Sequence, residues 1–267
     1  MEDEAPSQSE SNMTQNNEIQ NSVQFGDCLE LMPKIKEGSI DMILADLPYG
    51  TTSNKWDSVI PFDKLWKNYW RVLKPTGIIA LTASQPFTSA LVMSQVKWFK
   101  HEWIWIKNRG SNFANTVREP MKEHEQVLIF SKGKWTYNKQ MQERTGSGAD
   151  RVKYNVKFES KSTNYREFEG RKKNKLTELR VPSTWLKFKT DTSRLHPTIK
   201  PLHLFKYMVR TYTNEGDMVL DNTAGSMTTA IACLEENRNY IMIENDEKYY
   251  DVGVQRIKDW NEENIKS

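Results

Sequence analysis

Residues 39–45, Ser-Ile-Asp-Met-Ile-Leu-Ala, form a short, almost wholly apolar run that stops abruptly at Asp46-Leu47-Pro48-Tyr49-Gly50. A run this short and apolar reads as a strand buried on both faces, which requires a mostly parallel sheet covered by helices on each side. The polar step then falls at the carboxyl edge of the sheet, where open α/β sheets hold ligands. An acid, a carbonyl held by a following proline and an aromatic ring in succession suit the gripping of an exocyclic amine on a flat heterocycle. Such a nitrogen is a poor nucleophile because its lone pair is delocalised into the ring. The Asp46 carboxylate and the Leu47 carbonyl could take its two N–H groups and push it toward sp3 character. Pro48 would lock the turn, and Tyr49 would offer a π face, an interaction worth roughly 1–3 kcal/mol to a stacked base. Taken alone, the tetrapeptide equally describes an Asp-x-Pro turn closing a strand.

The flanking sequence repeats the strand-turn-helix pattern. Residues 23–28 read as a strand ending in Gly-Asp, with a following helix that carries Leu29, Met32 and Ile35 on one side. A helix is predicted over 62–74, where Pro75 breaks it; strands follow over 77–83, 99–107 and 123–130, with a helix over 86–96 between the first two. Farther on, a helix over 202–213 leads to a strand over 216–221, a turn of small residues, a helix to Glu236 and a strand over 240–244. Small residues at a strand-to-helix turn let the backbone approach a ligand whose anionic group is favoured by the helix N-terminus. Glu244 closes the next strand about twenty residues on, placed to accept from both hydroxyls of a ribose. A Rossmann-like nucleotide site follows, although the nicotinamide fingerprint Gly-x-Gly-x-x-Gly is absent.

Residues 108–195 lose this periodicity. A structureless loop of that length is improbable within a compact domain unless it works or is disordered. The formal net charge is only +3, yet residues 100–195 hold 22 Lys and Arg against 11 Asp and Glu, with 16 against 24 elsewhere. Basic residues with spaced aromatics, Trp135, Tyr137, Tyr154, Phe158, Tyr165, Phe168, Trp185 and Phe188, can neutralise phosphates and stack or pack. A solvated loop with small-core packing is the plainer reading of the same residues. Residues 1–22 are Ser-, Asn-, Gln- and Glu-rich and read as a disordered tail. Cys28 and Cys233 have no metal-ligand spacing and suit a reducing cytoplasm; no run reaches transmembrane length and no signal-peptide layout opens the chain.

The Asp46-Leu47-Pro48-Tyr49 stretch resembles the catalytic motif of the β group of amino-methyltransferases, the site-specific DNA adenine-N6 and cytosine-N4 enzymes, whose pattern is Asp/Asn/Ser-Pro-Pro-Tyr/Phe. The resemblance covers about residues 23–258, with Leu47 standing where Pro is usual. It implies a circularly permuted S-adenosylmethionine-dependent fold: a catalytic half over 23–107, a target-recognition region over 108–195 to which the 123–130 sheet strand does not belong, and a cofactor half over 196–260. By the same resemblance Asp27, with Cys28 beside it, receives the amino group of the cofactor's adenine, although Asp27 alone is as well read as a helix N-cap. His196-Pro197-Thr198-Ile199-Lys200-Pro201 is similar to the family segment under the cofactor's methionine end, with Thr198 and Lys200 helping to bind the carboxylate. Asp221, Thr223, Gly225, Ser226 and Thr228, then Glu244, complete the implied cofactor site, with Thr223 where an aromatic is common and Met227 where Gly is common. The implied reaction is methylation of adenine N6 in flipped-out double-stranded DNA, the acid at 46 favouring adenine over cytosine N4. A silent DNA-binding homologue is the rival from another class. A homodimer and a restriction endonuclease are the further partners that the resemblance allows, in a prokaryotic or phage-infected cell, with no metal.

Overall fold

The computed structural model describes residues 21–51, 57–154, 177–193, 195 and 199–265. In chain order the elements are β1 Ser22–Phe25, α1 Cys28–Leu31, β2 Ile40–Ala45, α2 Phe62–Val72, β3 Leu73–Ala83, α3 Phe87–Ser94, β4 Phe99–Ser111 and β5 Lys122–Phe130. They continue with β6 Gln142–Glu143, α4 Ser147–Lys153, β7 Leu179–Arg180, β8 Trp185–Lys187, α5 Leu202–Tyr212, β9 Met218–Asp221, α6 Thr228–Glu235, β10 Asn239–Glu244 and α7 Glu247–Ile265. Contacts divide the chain into two compact units, Lys139–Ser183 and the remainder.

The larger unit is built on an eight-stranded sheet of order β1-β10-β9-β2-β3-β5-β4-β8. Strands β1, β10, β9, β2 and β3 run parallel, and the β3-β5-β4 pairs are antiparallel. Alternation along β2 feeds two cores. Met42 and Leu44 pack with α5 and α6 on one face, through Leu204, Met208 and Ile231. Ile43 and Ala45 pack with α2 on the other, through Leu65, Trp66 and Tyr69. Both faces are therefore covered, as the apolar run requires. The parallel register Ile43 to Leu220 brings the ends of β2 and β9 to the same edge, although 177 residues separate Ile43 from Leu220.

Several boundaries differ from the sequence reading. Helix α2 stops at Val72 because Leu73 is already extended and pairs with Ile40, so the chain enters the sheet without a loop; Lys74, preceding Pro75, is barred from helical geometry in any case. Of the expected tail, Ser22 opens β1, and Asn21, in the turn before it, accepts at Oδ1 from the Tyr240 N–H at 3.1 Å. Within the stretch expected to be irregular, β4 extends to Ser111 and β8 joins the sheet edge. Trp135 and Phe188 pack against the core, whereas Tyr154 and Trp185 are exposed; Phe158, Tyr165 and Phe168 lie outside the described residues.

The Lys139–Ser183 unit contains the β6–β7 pair, Gln142 opposite Arg180 and Glu143 opposite Leu179, with α4 between them in sequence. The Arg144 guanidinium donates to the Thr177 carbonyl at 2.7 Å, tying its two ends. Among the described residues, no helix is long and apolar enough to cross a membrane.

Met227 explains one departure noted in the sequence. It has φ 61°, the left-handed region in which Gly is at ease, and its side chain is fully buried. What holds it there is Gly253 on α7, where an added Cβ would lie 2.2 Å from Met227 Cγ. Gly to Ala in a helix ordinarily gains a few tenths to 1 kcal/mol. Here Gly253→Ala is expected to lose about 1–3 kcal/mol by overpacking. A raised melting temperature in thermal unfolding would contradict this packing.

Candidate active site

One cleft of ≈ 1320 Å³ opens at the carboxyl edge of the sheet in the larger unit. Its wall includes Asp46, Leu47, Pro48 and Tyr49 from the turn after β2, and Asp221, Thr223, Gly225, Ser226, Thr228 and Glu244 from the β9–α6 turn and the end of β10. Asp27, Cys28 and Lys200 line it as well. Thirteen residues singled out from sequence thus share one cavity; His196 and Thr198 lie outside the described residues. No cluster of His, Cys, Asp and Glu suited to a metal occurs among the described residues.

The β2 turn is held from several sides. Asp57 accepts from the Gly50 and Thr51 N–H groups at 2.8 and 2.9 Å, closing the chain around Tyr49. Leu47 buries its side chain in the core, so packing replaces the ring of the usual proline in holding this position. Among the described residues no donor takes the Leu47 carbonyl. The Asp46 carboxylate accepts at Oδ1 from the hydroxyls of Tyr49, at 2.9 Å, and Thr82, and at Oδ2 from the Lys200 ammonium at 2.6 Å. The Tyr49 ring stacks on Phe87, with centroids 5.1 Å apart. Burial, and then the Asp46 and Glu125 carboxylates, push the Tyr49 phenol well above its ordinary range, so it remains a donor.

Lys200 is placed differently from the sequence expectation. Its ammonium is paired to Asp46 and lies 3.5 Å from Glu125 Oε2, while Glu125 Oε1 pairs with Lys107. Burial opposes the Lys200 charge, and the two carboxylates more than restore it, raising its pKa. Thr82, Phe87, Glu125 and Lys107 were not singled out from sequence. The one available signal was Thr82, a polar residue near the end of an otherwise apolar strand.

Across the cleft, Glu244 accepts from the N–H groups of Gly225 at 2.6 Å, Asn245 at 3.0 Å and Asp246 at 2.8 Å. Gly225 has φ 51°, and the turn it makes aims its N–H at Glu244. A carboxylate offers about four acceptor positions. Three are filled by backbone, so one position remains for a further donor. Asp27 caps α1, accepting from the Leu29 N–H at 2.7 Å. Burial raises the Cys28 thiol pKa, so it stays protonated. Thr228 Oγ1 and the Ser226 carbonyl both accept from Arg256. Thr223, which replaces an aromatic, donates from its hydroxyl to the Asp46 carbonyl at 3.1 Å and so ties the two turns directly.

Asp221 is the most perturbed carboxyl of the cleft. Burial raises its pKa to about 7, against the hydrogen bonds from Thr229 and the Thr223 N–H; Asp46 and Glu244 raise it further. The folded chain therefore holds a proton that the unfolded chain has lost between about pH 4 and pH 7. Stability from this group is complete below pH 4 and falls as pH rises through 7. Asp221→Asn is expected to flatten that limb, which spans on the order of a few kcal/mol. Denaturant unfolding between pH 5 and 8 measures it, and an unchanged slope in the variant would refute the assignment.

The chain is similar to known proteins over most of its length. A family model described as DNA methylase, of the N6/N4 methyltransferase type, matches residues 40–255. The DNA adenine methyltransferase YhdJ of Escherichia coli is 27% identical over 251 residues, covering 87% of this chain and 81% of the relative. Among solved structures, the M1.HpyAVI–SAM complex superposes with a TM-score of 0.56 at 19% identity, covering 88% of this chain and 97% of the other. The cytosine-N4-specific PvuII DNA methyltransferase superposes with a TM-score of 0.63 at 17% identity, covering 87% and 84%.

Proposed function

We propose that this chain, which belongs to the N6/N4 DNA methylase family, methylates the N6 amine of adenine in double-stranded DNA with S-adenosylmethionine as donor. The observation that carries the proposal is the shared cleft: an Asp46 carboxylate and a Leu47 carbonyl that no donor takes among the described residues line the same cavity as Gly225 and Glu244. The cavity also fits the donor's charge. Leaving out Asp221, which keeps its proton up to about pH 7, six carboxylates (Asp27, Asp46, Asp57, Glu125, Asp191 and Glu244) face four lysines (Lys107, Lys122, Lys200 and Lys248), an acidic excess that suits a ligand bearing a sulfonium and an ammonium over the pyrophosphate of a dinucleotide.

In this reading Glu244 accepts from a ribose hydroxyl, Gly225 and Ser226 let the backbone approach, and Asp27 and Cys28 flank the adenine. S-adenosylmethionine, when bound, supplies an electrophilic methyl group on sulfur. Asp46 and the Leu47 carbonyl accept the two N–H groups of the target amine and return electron density to its nitrogen. The amine ends with one proton in excess, which leaves through its hydrogen bond to Asp46 toward water. Positive charge thus moves onto the amine as transfer proceeds, so the carboxylate is favoured most in the transition state.

Delivering the amine requires the base to leave the duplex, at a cost of a few kcal/mol. The Tyr49 ring, and the excess of 12 Lys and Arg over 6 Asp and Glu in residues 139–183, would offset it. The β4–β5 hairpin offers a further contact: Phe113 and Val117 are exposed near its tip, and Asn112 braces it by accepting from the Lys122 N–H and donating to Glu119. A cytoplasmic location fits the two free thiols and the DNA substrate.

Cytosine N4 is the second reading, favoured by the fold shared with the PvuII enzyme. Expression in a host lacking DNA methylation, followed by mass analysis of the nucleosides, separates the two. N6-methyladenine is expected; N4-methylcytosine as the sole product would replace adenine as the target.

A further inference from the structure

Lys200 sits on the Asp46 oxygen that has room for the target amine. Its side chain is 7% exposed, its ammonium lies 2.6 Å from Asp46 Oδ2, and it approaches the Tyr49 ring at 5.6 Å from the centroid. Asp46 Oδ1 already accepts from Tyr49 and Thr82, so the one acceptor position left to an entering donor is at Oδ2, directly beside the Lys200 ammonium. Phe87 stacks on the same tyrosine, which limits the ring surface open to a base. A cationic nitrogen on the carboxylate beside an aromatic ring has the charge the amine acquires during methylation. Two such cations repel each other at one carboxylate.

A second carboxylate stands ready beside the first. Glu125, on the antiparallel strand β5, has Oε1 held by Lys107 from β4. Its Oε2 is buried and makes no hydrogen bond, although the Lys200 ammonium is only 3.5 Å away. A buried carboxylate oxygen without a hydrogen bond is costly. A short swing of the Lys200 ammonium would satisfy it and free Asp46 in the same movement.

We propose that Lys200 is a two-position placeholder: paired with Asp46 as the structure shows it, it transfers to Glu125 when the target amine enters, with Glu125 as the positioning residue that receives it. The inference rests on the methyltransferase reading above. It is tested with wild type, Glu125→Gln, Lys200→Met and the double variant, using tritium transfer from S-adenosylmethionine to genomic DNA of a methylation-free host and calorimetry of S-adenosylhomocysteine binding. Removing the receiving carboxylate strands Lys200 on Asp46, so Glu125→Gln is expected to lower kcat/KM for DNA by roughly thirtyfold while the S-adenosylhomocysteine Kd stays within about twofold. Adding Lys200→Met should then restore activity by about tenfold or more, a coupling of opposite sign from that of two residues that merely support Asp46. A double variant no more active than Glu125→Gln, or a Glu125→Gln protein equal to wild type, overturns the inference while leaving the methyltransferase reading intact. A folded wild type that binds S-adenosylhomocysteine but methylates no DNA removes both. Should Glu125→Gln not fold, Glu125→Asp, which withdraws the carboxylate by one methylene, is read by the same criteria.

Discussion

Replacing Asp46 by Ala is expected to lower methyl transfer by about a thousandfold or more, the size of effect seen when a positioned electrostatic group is removed from a transition state. The affinity for S-adenosylhomocysteine should stay within about threefold, because Asp46 acts on the amine rather than on the nucleoside. Some stability would be lost as well, since the Thr82 and Tyr49 hydroxyls lose an acceptor and Lys200 keeps only the Glu125 side of its pairing. Asp46→Asn should fall between the variant and wild type: its amide oxygen still accepts, but its NH2 group meets the donors that now converge on the carboxylate. Tritium transfer and calorimetry on the same preparations give the comparison. An Asp46→Ala protein retaining a tenth of wild-type activity would move the chemistry elsewhere.

Glu244→Ala should fail at the opposite step. Its carboxylate holds the N–H groups of Gly225, Asn245 and Asp246, so one side chain sets the shape of the β9–α6 turn and the exit of β10 together. Loss of these contacts, with loss of the one acceptor position left for a ribose, is expected to weaken S-adenosylhomocysteine binding by about a hundredfold, close to 2.8 kcal/mol. Glu244→Gln is not a mild change here, because both carboxylate oxygens accept backbone N–H groups and, whichever way the amide turns, its NH2 faces at least one of those donors. Calorimetry decides the matter, and wild-type affinity in Glu244→Gln would exclude this carboxylate from the site.

The two variants separate the halves of the cleft as they appear in the chain. Each half was legible because its signal is local: an apolar run ending in Asp-Leu-Pro-Tyr, and small residues after Asp221 with an acid at the end of the next strand. Periodicity sets which residues of β2 enter which core, and Pro48 and Gly225 mark where each strand must end. The boundary of α2 was less legible, since whether Leu73 continues a helix or opens a strand depends on Ile40 being present to pair with it.

By itself the sequence determined the elements, the edge at which their functional ends lie, and the residue types offered there. Tertiary structure alone decided what those residues touch. Thr82 on Asp46 joins positions 36 residues apart, Lys200 on Asp46 joins positions 154 apart, and Thr223 on the Asp46 carbonyl joins positions 177 apart. Backbone geometry repeats over a few residues and so leaves a pattern in the chain, whereas the partner of a buried charge is whichever group the packed layers bring within reach.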